Sequence, residues 1–554
     1  MQIRTFLRWD QQLGEVICCV SFGCHLAESH IVAVHQRSSV TCLAIMGPRA
    51  MSKLPFLLIV LAGSAIAQTD RPNVLFAISD DQSAMHAGAY GDTSNKTPAF
   101  DRIAREGVLF SYAATAAPSC APSRSAILTG RNIWEVEEGG ILLGILRSRF
   151  TVFPLILADA GYELGATGKT WGPGRLEGWD RDIFGRRITT HKLPEADRRP
   201  GLNELDYAAN FEEFFANRDE SKPFFFWLGT SEPHQRYDIG AWQRAGKRLE
   251  DARLPGALPD RPEVRGEILD YGIEIEHFDR HLARALETLE DAGELDNTLV
   301  IVTSDHGNPL PRSKCNLYDS GIQVPLAMRL PGVIPGGRKV DDLASLVDLA
   351  PTILDAATVP VPEVMSGRSL WRIARSEKSG LVDASRDFVV AAFERHTIAR
   401  RGGVGYPMRA IRTHKYAYIR NYEPDRWPAG DPDYNAPPQG FFGDVDRGVT
   451  KAFLMANALD PEIRPYYLMA YGRRPAEELY DIQSDPHQLR NIAADPAWAR
   501  IKQELQWQLN AYLQEHGDPR QRGEAPWDSY PFAGSWRLLD NPNWKLEGMP
   551  APLP

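Results

Sequence analysis

Asn73-Val-Leu-Phe-Ala-Ile-Ser-Asp-Asp81 is a short apolar run, preceded by Pro72 and closed by two acids. It has no polar face and too few residues for an ordinary helix, so it reads as a strand buried on both sides. Phe224-Phe-Phe-Trp-Leu228 and Leu299-Val-Ile-Val-Thr303 read the same way, and Tyr162–Thr167 is a further strand-like piece. Helices are expected between them. Thr97-Pro98 predicts one, with Thr as N-cap, Pro at the first position and Gly107 closing it. Ile268, Tyr271, Ile275, Phe278, Leu282, Leu286 and Leu289 recur at three- and four-residue steps and predict a long amphipathic helix ending near Gly293. Strands alternating with helices imply an α/β domain over 71–380, with a large, mostly parallel sheet between helices. Ligands are then expected beyond the carboxyl ends of the strands.

Past Pro360 the pattern changes. Phe388–Phe393 and Tyr416–Ile419 are strand-like with no long helix between them, and a Pro/Gly/Asp-rich stretch runs from Pro424 to Asp444. A helix is expected around Trp498–His516. Residues 381–520 read as a smaller α+β domain, and 521–554, rich in Pro and Trp, as an extended tail.

The 554 residues carry 62 Lys+Arg against 72 Asp+Glu, a net charge of −10, with 43% hydrophobic and 24% charged residues. That is a globular composition, and its acidic balance argues against nucleic acid as a partner. From Met51, the segment MSKLPFLLIVLAGSAIA ending at Ala67 has the cation, apolar core and Ala-x-Ala end of a secretory signal peptide. It is too short to span a bilayer, and no Cys follows it to carry a lipoprotein anchor. The protein is therefore expected to be exported, periplasmic or secreted, without a membrane anchor. Residues 1–50, with Cys18, Cys19, Cys24 and Cys42 and no clear period, read as an over-extended gene start ahead of Met51. Beyond Ala67 only Cys120 and Cys315 remain, which excludes a disulfide scaffold and leaves each thiol to be explained.

Cys120-Ala-Pro-Ser-Arg124 followed by Leu128-Thr-Gly-Arg131 supplies one explanation. Together these motifs resemble the signature of the type I sulfatases of the alkaline-phosphatase superfamily, in which a maturation enzyme oxidises the Cys to Cα-formylglycine. The resemblance implies an alkaline-phosphatase-like fold and an aldehyde hydrate at 120 that attacks sulfur and then expels sulfate. Pro122 and the segment after it put Cys120 at a helix start, where the dipole and free N–H groups favour an anionic oxygen.

Asp80-Asp81 and Asp305-His306 each leave a strand at its carboxyl end. Either pair alone would be ordinary turn acids. In the sulfatase order around the Cys motif they imply, with residue 120, a hard-oxygen site for Ca²⁺ or Mg²⁺ with His306 as a nitrogen ligand. Lys169, in Gly168-Lys-Thr-Trp171, and Lys314 match the family's two sulfate-binding lysines, and Arg124 adds a third cation. The family's G-K-x-H is G-K-T-W here. Trp171 stands in the His position, which leaves His306, metal-bound hydroxide or water to take the nucleophile's proton. Trp171 itself can wall a sugar subsite or fill core. His234, in Ser-Glu-Pro-His after a strand, matches the residue that protonates the leaving group.

Longer stretches resemble the heparan N-sulfatase branch in particular: GKTWGPG (168–174), LPDRPEVRGEILDYGIEIEHFD (258–279), SDHGNPLPRSKCNLY (304–318), GYPMRAIRTHKY (405–416) and ELYDIQSDPHQLRNIAADP (478–496). By that resemblance the partner is a sulfated glycosaminoglycan or oligosaccharide, cleaved at the N-sulfate of glucosamine in heparin or heparan sulfate fragments. Glu232, Glu394, Arg395 and His396 are then expected to hold the sugar. The alternatives are an O-sulfatase for another sugar, a formylglycine-dependent phosphodiesterase or phosphonate hydrolase, and a non-catalytic glycan-binding relative.

Overall fold

The computed structural model describes residues 71–435 and 440–533, together with the backbone of four strands between residues 3 and 44. The signal-peptide segment 51–67 and the tail beyond 533 lie outside the described residues. Ile3–Asp10, Glu15–Phe22, Ser29–Gln36 and Ser39–Ala44 pair antiparallel in chain order, within a unit of their own, Met1–Ala67. Cys, Ser and His interrupt the apolar residues of these strands and blur the two-residue repeat in the sequence.

Residues 68–554 form the second unit. Its large sheet has eight strands: β1 (Asn73–Ser79), β2 (Val108–Phe110), β3 (Glu163–Gly168), β4 (Arg186–Arg187), β5 (Phe224–Gly229), β6 (Thr298–Ser304), β7 (Leu326–Arg329) and β8 (Arg338–Val340). Their spatial order is β4-β3-β5-β1-β6-β7-β2-β8. Strands β4, β3, β5, β1 and β6 are parallel; β7 runs antiparallel to both β6 and β2, and β8 returns parallel to β2. The sheet is mostly parallel, as the strand–helix alternation requires.

Both faces of the central strands are buried, and the two-residue period divides them between two layers. Val74, Phe76 and Ile78 of β1, Phe225 and Trp227 of β5, and Leu299 and Ile301 of β6 enter one core. Leu75 and Ala77, Phe224, Phe226 and Leu228, and Val300 and Val302 enter the other. The first layer is covered by Ile127 and Leu128 of helix α2 (Cys120–Thr129). The second is covered by Phe278, Leu282, Ala285, Leu286 and Leu289 of the long helix α4 (Pro262–Asp291) and by Phe211, Phe214 and Phe215 of α3 (Tyr207–Ala216).

Helix α1 (Pro98–Glu106) has the boundaries expected from Thr97-Pro98 and Gly107, but Thr97 does not cap it through its side chain. The Thr97 hydroxyl accepts from Gly88 N–H and donates to Asp101. The carboxylate of Asp279, on α4, accepts from the first-turn amides of Ala99 (2.9 Å) and Phe100 (2.8 Å) instead. A tertiary contact has replaced the local cap.

The C-terminal region carries a second sheet, β9 (Phe388–Phe393), β10 (Met408–Thr413), β11 (Tyr416–Asn421) and β12 (Glu477–Asp481), antiparallel in chain order. Helix α5 (Ala499–Glu515) packs Leu505, Leu509 and Leu513 into the same cluster as Val390, Ile411, Tyr418 and Leu479. No helix among the described residues is long and apolar enough to cross a membrane.

Candidate active site

Four neighbouring parallel strands end side by side, and the chain leaving each delivers a site residue. Lys169 follows β3, Ser231–His234 follow β5, Asp80-Asp81 follow β1 and Asp305-His306 follow β6. Backbone pairing runs on past the strand ends: Lys169 N–H donates to Gly229, Asp80 N–H to Glu232 and Asp305 N–H to Ser79. The acids are thereby fixed relative to one another before any ligand arrives. Cys120 is the first residue of α2, after the cap position Ser119. Both Cys120 and Cys315 are buried free thiols.

These residues converge on a cavity of about 460 Å³ whose wall includes Asp80, Cys120, Lys169, Trp171, His234, Lys314, His396 and Asp446. Lys169 donates to Asp80. Lys314 donates to Asp81 Oδ2 (2.9 Å), Asp446 Oδ2 (3.0 Å) and His234 Nε2 (3.1 Å). Both ammonium groups sit above their ordinary pKa. Burial pulls each down, but Asp80 beside Lys169, and Asp446 and Asp81 beside Lys314, outweigh it. Arg124 is buried behind the wall and donates to Asp305 Oδ2 (2.9 Å) and to the carbonyls of Lys169 and Thr170. Asp305 Oδ1 accepts from the amides of Asp81 and His306. Burial would raise its carboxyl pKa, and His306, Arg124 and Lys169 together pull it well below the usual range.

The ligand atoms of Asp80, Asp81, Cys120 and His306 lie within 4.8 Å of one another. Asp80 Oδ1 and Asp81 Oδ1 are buried and receive no hydrogen bond. His306 Nδ1 is 3.0 Å from the Gly307 carbonyl, which only accepts, so Nδ1 carries a proton. In a neutral ring the Nε2 lone pair then faces Asp81 Oδ1 at 3.0 Å and Cys120 Sγ at 3.4 Å. Lone pairs opposed at that distance need a cation or a proton between them. The set fits a hard divalent ion when position 120 presents oxygen rather than sulfur. Burial also pushes the Cys120 thiol well above its usual pKa, with Lys169 and Lys314 opposing, so the unmodified residue makes a poor thiolate.

The expected sugar-binding residues separate. His396 lines the cavity, with Nδ1 2.7 Å from Ser119 Oγ, and burial brings its pKa down to about 4. Trp171 lines it too, with its indole N–H on Ser125 Oγ at 2.9 Å. Glu232, Glu394 and Arg395 are not on the wall. Glu232 accepts from Asn203 N–H (2.7 Å) and Tyr207 OH (2.9 Å), which braces from behind the segment whose Asn203 lines the cavity. Glu394 is enclosed by Arg409 and Arg520. Arg395 is turned to the Tyr530 carbonyl and stacks on Phe532. After β9, consecutive side chains face different neighbours, and sequence adjacency does not reveal which of them meets the cavity.

Asp446 is the residue the sequence did not point to. It lies two residues past the Pro/Gly/Asp-rich stretch, and its carboxylate reaches Lys314 and forms a second close group with Asp81 and His234. The acid in Gly443-Asp-Val-Asp446 is its one local signal, and such turns are common.

A family model described as sulfatase matches residues 72–359, and one described as N-sulphoglucosamine sulphohydrolase, C-terminal, matches 312–436. Human N-sulphoglucosamine sulphohydrolase is 27% identical over 494 residues, covering 81% of this chain and 91% of the human one. An ulvan-active sulfatase of Formosa agariphila is 25% identical over 489 residues, 81% of this chain and 76% of its own. A solved structure in complex with its substrate D-glucosamine-2-N,6-O-disulfate shares the fold at a TM-score of 0.57 and 20% identity, covering 81% of this chain and 98% of that one. The first family model spans more than half the chain and takes in the cavity residues from Asp80 to Lys314. The chain belongs to the sulfatase family.

Proposed function

We propose that this sulfatase acts on sulfated glycans and that its preferred bond is the N-sulfate of glucosamine in heparin or heparan sulfate fragments. The observation that carries the reading is the His234–Lys314 pair, whose nitrogens lie 3.1 Å apart on the cavity wall with Cys120. An amine cannot leave as an anion; it has to take a proton as the S–N bond breaks. The pair holds a proton where the leaving nitrogen can take it. The C-terminal family match and the human relative support the same bond.

A formylglycine at 120 would supply, as its hydrate, an oxygen nucleophile and a second hydroxyl through which the sulfate could be released. Asp80, Asp81, Asp305, His306 and residue 120 would hold a divalent cation, which would supply positive charge to the reacting sulfuryl group. The chain's own groups do the rest. Lys169 and Lys314, fixed by their carboxylates, bind the sulfuryl oxygens, and Arg124 holds Asp305 in its charged form. Trp171, tied through its N–H to α2, offers a ring face to the sugar, and neutral His396 offers Nε2 to a hydroxyl. The leader-like segment 51–67 supports action outside the cytoplasm, after a maturation enzyme has converted Cys120.

His234→Ala tests the proton's source. It should lower kcat on glucosamine N-sulfate by about 10³-fold but on an aryl sulfate with a good leaving group by only about tenfold. Equal losses overturn the role. The ulvan-active relative favours a second reading, an O-sulfatase. Faster sulfate release from an O-sulfated sugar than from glucosamine N-sulfate, measured side by side, would establish it.

A further inference from the structure

Next to the catalytic cavity lies a second one of about 420 Å³, lined by Arg199, Leu202, Glu276, His277, Arg280, His281 and Arg284 among others. Leu202 lines both, and the segment Gly201–Asn203 is part of the catalytic wall. Gly201 is at φ +94°, and a Cβ there would fall 2.4 Å from the Arg236 carbonyl oxygen, so only glycine fits at this point of the shared wall.

The charges in this cavity are unevenly partnered. Arg284 is paired with Asp206 (2.7 Å) and Glu212 (3.4 Å), and Glu276 with Lys247 (2.8 Å). Among the described residues, neither Arg199 nor Arg280 has a carboxylate oxygen within 4.0 Å; burial lowers the Arg280 pKa, Glu276 opposes it from farther off, and Arg199 adds to the lowering. Adjacent guanidinium groups repel unless an anion lies between them.

The hydrogen bonds of Arg280 show the same shortage of acceptors. Arg280 Nη2 is 3.2 Å from His277 Nδ1, His277 Nε2 is 3.1 Å from His281 Nε2, and Ala208 N–H points at His281 Nδ1 from 3.3 Å. Burial holds both imidazoles neutral, His277 down to about 2 and His281 to about 4. Each neutral ring has one lone pair, so two lone pairs serve three contacts. One donor is left over; the nearest carboxylate oxygen, Asp206 Oδ1, is 3.6 Å from His281 Nδ1, beyond a good hydrogen bond, and an acceptor in the cavity would relieve the chain by drawing the Arg280 guanidinium away.

We propose that this cavity is an anion-binding subsite in which Arg199 and Arg280 receive a carboxylate or sulfate of the sugar next to the one being desulfated. The inference rests on the glycan reading above and adds that the enzyme recognises at least two sugars. Drawn off His277, the Arg280 guanidinium and the exposed Arg199 can fork their donors onto one oxyanion.

The test uses the converted full-length enzyme and its Arg199→Ser and Arg280→Ser variants. Substrates are glucosamine N-sulfate and an N-sulfated disaccharide bearing a uronate. Each variant should lose about tenfold in kcat/KM on the disaccharide and stay within twofold of wild type on the monosaccharide. Equal losses on both substrates, or none on either, overturn the subsite. A wild type that desulfates neither sugar overturns the functional reading instead. Calorimetric binding of the same disaccharide then decides the subsite: about tenfold weaker binding by Arg199→Ser supports it, and equal affinity overturns it.

Discussion

At the head of the parallel strands, Arg124, Lys169 and Lys314 face Asp80, Asp81, Asp305 and Asp446, and two buried carboxylate oxygens are left without a donor. Beside β10, Arg409 and Arg520 face Glu394 and Asp518, and every carboxylate oxygen is taken: Glu394 by both arginines, Asp518 by Arg409 and the Arg520 amide. Both clusters are buried and rich in Arg and Asp or Glu. The contrast teaches that buried charge alone does not mark a functional site. A closed network fixes the fold, whereas unclaimed lone pairs beside a cavity call for a ligand.

The sharpest way to break the contrast is Cys120→Ala. It should cost about 10⁴-fold or more in turnover and move the melting temperature by only a few degrees, measured by sulfate release and thermal unfolding of the same preparation. Retained turnover would mean that the open cluster is not the reacting centre. Glu394→Gln should do the reverse. It leaves Arg409 and Arg520 buried with a weakened partner and should cost about 3 kcal/mol of stability in denaturant titration. Turnover per folded molecule should stay within twofold, and a loss of turnover at full stability would put Glu394 on the sugar after all.

Glu274 gives an effect that unfolds only with pH. Its two oxygens are buried without partners, and burial, then Glu232 and Asp270, pushes its pKa up to about 10. The folded state therefore keeps a proton that the unfolded chain releases near pH 4.5. The resulting stabilisation is complete below that pH and fades as pH rises toward 10. Glu274→Gln lacks this dependence, so it should gain up to about 4 kcal/mol relative to wild type between pH 5 and pH 8, at about 1.4 kcal/mol per pH unit. A difference that stays flat with pH would show that Glu274 has found a partner, and the contrast between closed and open clusters would need redrawing around it.

Most of the parallel half of the large sheet was legible because each central strand is buried on both faces and so appears as an unbroken apolar run. Strands β2, β7 and β8 were not, because a few residues at the antiparallel side carry too little pattern to stand out from loop. The same physics divides the site. Asp80, Asp81, Lys169, His234, Asp305 and His306 sit one to five residues past a strand end, where topology alone assigns them to the ligand side. Asp446 arrives from a stretch without periodicity, and only tertiary packing brings it to Lys314. Glu232 and Glu394 had the right chemistry in the right segments, but what decides their role is which donors reach them, and that is long-range information.

Cys120 is 2% exposed and packed with Leu142, Leu143, Ile398 and Phe532. Strand β1 lies between partners that the chain supplies only at residues 224–229 and 298–304, and Phe532 comes later still. If a second protein converts this thiol, as proposed above, it would have to reach it before these segments close over it. On that proposal conversion competes with folding, and unfolding and refolding an unconverted chain in the presence of the modifying activity should recover turnover that the folded chain cannot gain.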